Sequence, residues 1–258
     1  MSDAGVAVTA AVLSSRAFRP GSRPMIEPVK FATYLEAQAA EIPGVRNSKR
    51  SRLKLLAALA RLLEHAEFKD IKVQDITADA GLAKGTFFVQ FKTKEDVAQE
   101  LLSRFVEFER ATVPEVPLDG DMYDIVYGVV QWYESNFAVN HGVLCCLIRF
   151  SGADAQYKQL WRDRNVAMLE RWTTAMLAYL RIEAEHLPMF REMVHSAGAI
   201  MDQSLFERYG LTAASGGALA QEALVEMHAV LIYRVISGSE PPAERLRHMK
   251  PLVGLLGR

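Results

Sequence analysis

The chain has 258 residues, half of them hydrophobic and 24% charged, which excludes a disordered or fibrous protein and leaves room for two folded domains. A net charge of −1 conceals an asymmetry: residues 1–94 carry 15 Lys and Arg against 9 Asp and Glu, and the remainder carries 15 against 22. Any polyanion is therefore expected to meet the front of the chain.

Residues 1–28 are rich in Ala, Ser, Pro and Gly, with Arg16, Arg19 and Arg23 spread among them. They read as a basic arm, partly disordered, within a segment 1–45 that also holds one short helix. The arm's arginines fit either a minor-groove contact or incidental charge. Its apolar stretch "VAVTAAVL" follows an Asp rather than basic residues and has no clean cleavage site, so it is read as no signal sequence. Phe31, Tyr34, Leu35 and Ile42 then recur at helical spacing up to the stop signal Pro43-Gly44.

Asn47 or Ser48 can cap the next helix, which places Leu53, Leu56, Ala60 and Leu63 on one face. Between Pro43 and Leu63 stand Arg46, Lys49, Arg50, Arg52, Lys54 and Arg61, with no acidic residue. Short elements follow at Val73–Ala80 and Lys84–Phe91, separated by a turn at Gly81. Thr93, with Asp96 three residues on, starts a longer helix that stops before Pro114.

Beyond "VPEVPLDGD" the pattern is helical throughout. Ile125, Val129, Trp132 and Asn136 mark one helix, "HGVLCCLIRF" a short one, and residues near 154–182 a long one. Further helices are expected near 187–209 and 217–237. No apolar run reaches the roughly 18 residues of a membrane span. Cys145 and Cys146 are adjacent and cannot staple a fold, which points to a reducing, cytoplasmic setting. The fold class expected is all-α.

The segment "VQDITADAGLAKGTFFVQF" has the grammar of a helix-turn-helix. Val73 and Ile76 face inward, Ala80 permits close approach, and Gly81 makes the turn. Phe87 and Phe91, four apart, anchor the second helix. Lys84, Thr86, Phe88 and Gln90 then face outward, and side chains of this kind meet base edges in a major groove.

In the order and spacing of Asp75-Ile76, Gly81-Leu82, Lys84-Gly85-Thr86-Phe87-Phe88, Phe91 and Lys94-Glu95-Asp96, residues 48–104 resemble the DNA-binding domain of the TetR family of bacterial transcriptional regulators. The resemblance implies a three-helix helix-turn-helix domain (46–94) and a larger helical effector-binding and dimerisation domain (95–258). It implies DNA contacts from Thr86, Phe88 and Gln90, and a phosphate contact from Lys94. Arg50, Lys72, Lys84 and Gly85 complete the expected DNA-binding set. Phe88 stands where the family usually has Tyr, and Ala83 where it usually has a capping Ser. Gln90 stands where His or Tyr is common, and Ile71-Lys72 replaces a Thr-rich pair.

A regulator of this kind needs a mostly apolar ligand pocket. Phe105, Phe108, Trp132, Phe150, Trp172 and Met176 are the candidate lining, although each also suits an ordinary core. His141 and Cys145, four apart, make an incomplete metal pair, so no metal and no cofactor is expected. His186, His195 and His228 read as structural or surface residues. No catalytic constellation is visible, so no enzymatic activity is expected. The function expected is a ligand-responsive, sequence-specific regulator, a repressor released from a palindromic operator by a small apolar or aromatic effector. Its partners are double-stranded DNA, the effector and a second copy docked through the helices near 187–209 and 217–237. The rival reading is a helical small-molecule-binding protein or enzyme whose helix-turn-helix does not function.

Overall fold

The computed structural model describes residues 28–44, 48–114, 121–177, 180, 182–210 and 219–256. Arg16, Arg19, Arg23, Arg46 and Asn47 lie outside the described residues. Among those described there are eleven α-helices and no strand: α1 (Phe31–Glu41), α2 (Ser48–Leu62), α3 (Val73–Asp79), α4 (Lys84–Gln90), α5 (Lys94–Thr112), α6 (Met122–Val139), α7 (His141–Ala153), α8 (Ala155–Leu177), α9 (Leu187–Tyr209), α10 (Gln221–Ser237) and α11 (Lys250–Leu256). None is long and apolar enough to cross a membrane.

The described residues form two compact units. The first comprises Pro28–Val113 and Asn136–Arg164; the second comprises Pro114–Ser135 and the residues from Asn165 onward. The division falls inside α6 and α8, so each of these helices contributes residues to both units.

The first unit is built around α2. Its sequence suggests a single apolar stripe, yet Leu55 through Ala60 are consecutively buried. Such burial means a helix covered on more than one side. The extra cover is α1, which buries Phe31, Ala32, Leu35 and Ala39. Phe31 meets the rings of Phe105 and Phe108 on α5 at 5.3 and 5.0 Å between centroids, and Tyr34 meets Phe108 at 4.9 Å. The Phe31 N–H donates to Asn140 Oδ1 at 2.8 Å, which ties the start of α1 to the end of α6. Gly142 on α7 is required for close packing: a Cβ there would lie 2.5 Å from the backbone of Leu63.

A buried polar chain runs through the same unit. The guanidinium of Arg164 donates to both carboxylate oxygens of Glu109, at 2.7 and 2.9 Å. Asn136 donates to Glu109 at 2.7 Å, and Asn140 donates to Asn136 at 3.0 Å. Arg164, Glu109, Asn136 and Asn140 are all buried, so the charges are matched where water cannot reach them.

Both ring nitrogens of His141 face backbone carbonyls, of Ala138 and Glu64. Burial pushes the thiols of Cys145 and Cys146 up to about 12, so neither presents a thiolate near neutral pH.

In the second unit α9 packs on α10. His228 spans two hydrogen bonds, from Nδ1 to Glu134 at 2.6 Å and from Nε2 to Ser204 at 3.1 Å. Burial raises the Glu134 carboxyl, and the His228 contact opposes that rise. The tyrosine hydroxyl of Tyr133 donates to Asp202. Glu226, fully buried on α10, accepts the backbone N–H groups of Arg247, His248 and Met249 at 2.7–2.9 Å, which fixes the approach to α11.

Candidate nucleic-acid interface and apolar cavity

The helix-turn-helix consists of α3 and α4. Gly81 joins them at φ +64°, a left-handed conformation that favours glycine. Ile76 and Phe87 are fully buried and Phe91 nearly so, with the Phe87 and Phe91 rings 5.8 Å apart. These residues hold α4 against α2 and α3 and leave its opposite side to solvent.

Two polar clamps fix the C-terminal end of α4. Arg52 donates to the Gln90 carbonyl at 2.6 Å, lies 4.1 Å from the Phe91 ring centroid, and donates to Glu100 at 2.8 Å. The Gln90 side-chain amide donates to Ser48 Oγ at 2.9 Å. Gln90 is thus half-buried and engaged with α2, which differs from the outward-facing amide that its spacing suggests. Thr93 and Asp96 form the expected capping box at the start of α5, with each side chain bonded to the other's backbone N–H. The Asp96 carboxyl is held below the usual carboxylate range, chiefly by the Thr93 N–H.

Lys94 also turns toward protein. Its ammonium donates to the carbonyls of Phe68 and Ile71 at 2.7 and 2.9 Å, approaches that of Lys69 at 3.4 Å, and sits 4.3 Å from the Phe68 ring centroid. It therefore fastens the loop before α3 to α5, and its hydrogen-bonding capacity is taken up by carbonyls. Lys72 and Lys84 are exposed, Arg50 and Thr86 are half-buried. Gly85 is exposed, and a Cβ there would meet nothing within 4 Å, so another molecule's backbone can come close. Phe88 is 54% exposed.

Sequence reasoning overlooked Val89, which at 78% is the most exposed large apolar residue on this surface. The signal was present. Val89 stands two residues from each anchor, Phe87 and Phe91, and at about 100° per residue it must lie nearly opposite both.

Residues of α6, α8, α9 and α10 in the second unit line a partly open cavity of about 40 Å³. Its lining is apolar and includes Val126 and Val130 of α6, Trp172 and Met176 of α8, Ala197 and Met201 of α9. Two of the six expected pocket residues, Trp172 and Met176, line it. Trp132 is buried and does not line it, with its ring 6.4 Å from that of Trp172. The other three expected residues belong to the first unit and do not line this cavity. Phe105 and Phe108 pack with Phe31, while Phe150 meets Phe68 edge-to-face at 5.1 Å and Tyr157 at a tilt at 4.8 Å. The indole N–H of Trp172 is buried and has no hydrogen-bond partner among the described residues.

Residues 55–101 match the family described as bacterial regulatory proteins, tetR family. Over 160 residues the chain is 27% identical to the HTH-type transcriptional regulator EthR of Mycobacterium tuberculosis, covering 59% of this chain and 69% of that protein. It is 24% identical over 136 residues to the EthR of Mycolicibacterium smegmatis, covering 51% of this chain and 59% of that one. The crystal structure of a tetR-family transcriptional regulator from Streptomyces coelicolor superposes with a TM-score of 0.60 at 14% identity, over 84% of this chain and all of that one. The matched segment runs from the middle of α2 into α5 and contains the helix-turn-helix. Residues 55–101 thus carry a helix-turn-helix of the tetR-family type, within an all-α chain that is similar to HTH-type transcriptional regulators.

Proposed function

We propose that the protein is a homodimeric repressor that leaves a palindromic operator when a small apolar or aromatic molecule enters the cavity of the second unit. The observation that carries this reading is the cavity's combination of wholly apolar lining and small size. A volume of about 40 Å³ falls far short of the roughly 300 Å³ of a working ligand pocket. An effector can enter only by spreading α6, α8, α9 and α10, so binding and helix displacement are one event. The ligand then binds the displaced conformer better, which is the condition for shifting a population. Because α6 and α8 also contribute residues to the first unit, their displacement has a covalent route toward α5 and the helix-turn-helix.

The dimer is proposed through α9 and α10. Met189 (70% exposed), Met193 and Ile200 (58%) on α9, with Leu231 on α10, form an exposed apolar surface of the kind that association covers. A two-fold dimer presents its two α4 helices to half-sites about one helical turn, or a multiple of it, apart. Lys72, Lys84 and Lys49 supply exposed charge for phosphates. Enzymatic activity forms no part of this reading.

Filling the cavity tests the proposal. Ala197→Val adds two methyl groups to its lining. The variant is expected to bind an enriched duplex like the parent but to stay bound when a metabolite extract releases the parent, as followed by fluorescence anisotropy. Equal release of both proteins would place the effector elsewhere.

A further inference from the structure

We infer that α4 selects its operator mainly through apolar contact with thymine methyl groups, made by Val89 and Phe88, rather than through hydrogen bonds to base edges. The inference rests on the reading of α4 as the groove-entering helix and adds what that helix recognises.

The exposed residues of α4 are Lys84, Gly85, Phe88 and Val89. Lys84 is the single one with a polar side chain. Of the two side chains suited to base-edge hydrogen bonds, Thr86 is half-buried and Gln90 is bonded to Ser48. The face presented to solvent is therefore short of donors and acceptors and rich in apolar surface. Phe88 keeps one edge on Phe87, 5.4 Å between centroids, and Val89 is 78% exposed.

Two adjacent exposed apolar side chains on a seven-residue helix leave much apolar surface in water for little packing return. In a major groove the one apolar group on a base edge is the C5-methyl of thymine. Gly85, with open space where a side chain would be, lets the helix seat closely enough for such contacts. Exposed Lys84 and Lys72 nearby provide the charge that holds the phosphates while the apolar face meets the bases. Charge therefore positions the helix, and methyl contact supplies the discrimination.

The test uses the full-length protein and a duplex enriched from a random pool. Each thymine is replaced in turn by deoxyuridine, which removes the methyl group and leaves every hydrogen-bonding edge intact. At one or two positions in each half-site, the substitution is expected to weaken binding by the parent about fourfold, the value of one buried methyl. Val89→Ala and Phe88→Ala should each bind the thymine duplex less tightly and lose the deoxyuridine penalty at their own position. Val89→Ile should keep it. Uniform indifference of the parent to deoxyuridine overturns the inference while leaving DNA binding in place. Unchanged penalties in both alanine variants overturn it as well. Failure of the parent to enrich any duplex overturns the inference together with the reading beneath it.

Discussion

Arg164→Ala is expected to lower the unfolding free energy by about 3–5 kcal/mol, the usual cost of removing one partner of a buried ion pair. The cause is the carboxylate left behind. Glu109 is fully buried and Arg164 is 1% exposed, so Glu109 cannot exchange its lost partner for water. Asn136 still donates to one Glu109 oxygen, but an amide does not neutralise a charge. The joint variant Arg164→Met, Glu109→Leu should recover much of the loss, because an apolar pair of similar volume carries no desolvation penalty. Recovery should stop short of the parent, since the Asn136 amide then loses its acceptor. Urea denaturation of the three proteins measures this. An Arg164→Ala cost below about 1 kcal/mol, typical of an exposed pair, would show that water reaches Glu109.

Phe87→Ala is expected to cost a similar amount, about 3–5 kcal/mol, and to abolish duplex binding with it. Phe87 is fully buried between α3 and α4, and its ring contacts those of both Phe88 and Phe91. Its removal withdraws the main anchor of a helix too short to hold itself. Val89→Ala, two residues on, should change stability by no more than about 0.5 kcal/mol, because Val89 is mostly exposed. The pair separates packing from recognition on one helix. Thermal unfolding that moved equally in both variants would contradict the assignment of Phe87 to the core and Val89 to the surface.

These residues also mark how far the sequence could be read. Phe87 and Phe91 were legible because an i, i+4 spacing places both on one face whatever lies opposite. Gly81 was legible because a turn between two short helices needs its left-handed backbone, and Thr93 with Asp96 because a capping box is local. What failed to show was non-local. The partner of Gln90 is Ser48, 42 residues away, and the carbonyls that hold Lys94 lie 23–26 residues before it. Spacing along one helix gives no warning of such partners.

The same limit governed the cavity. Phe105 and Phe108 have the apolar periodicity of pocket residues, but Phe31 and Tyr34 from α1 cover them. Trp172 and Met176 carry an indistinguishable pattern and do line the cavity. The short α11 gave almost no signal, since Pro251 and Gly254 both depress helix propensity in a seven-residue element. Burial of the Glu226 carboxylate against the backbone just before it supplies what propensity does not.

In the proposed reading, α4 meets duplex DNA as one half of a two-fold pair. Enrichment from a random duplex pool, followed by a salt titration of the winning sequence, tests it most directly. A palindromic consensus is expected, with half-sites about one turn or a multiple apart. The log–log salt slope should steepen by about 0.9 for each phosphate contacted. A pool that emerges unenriched at every salt concentration would contradict it.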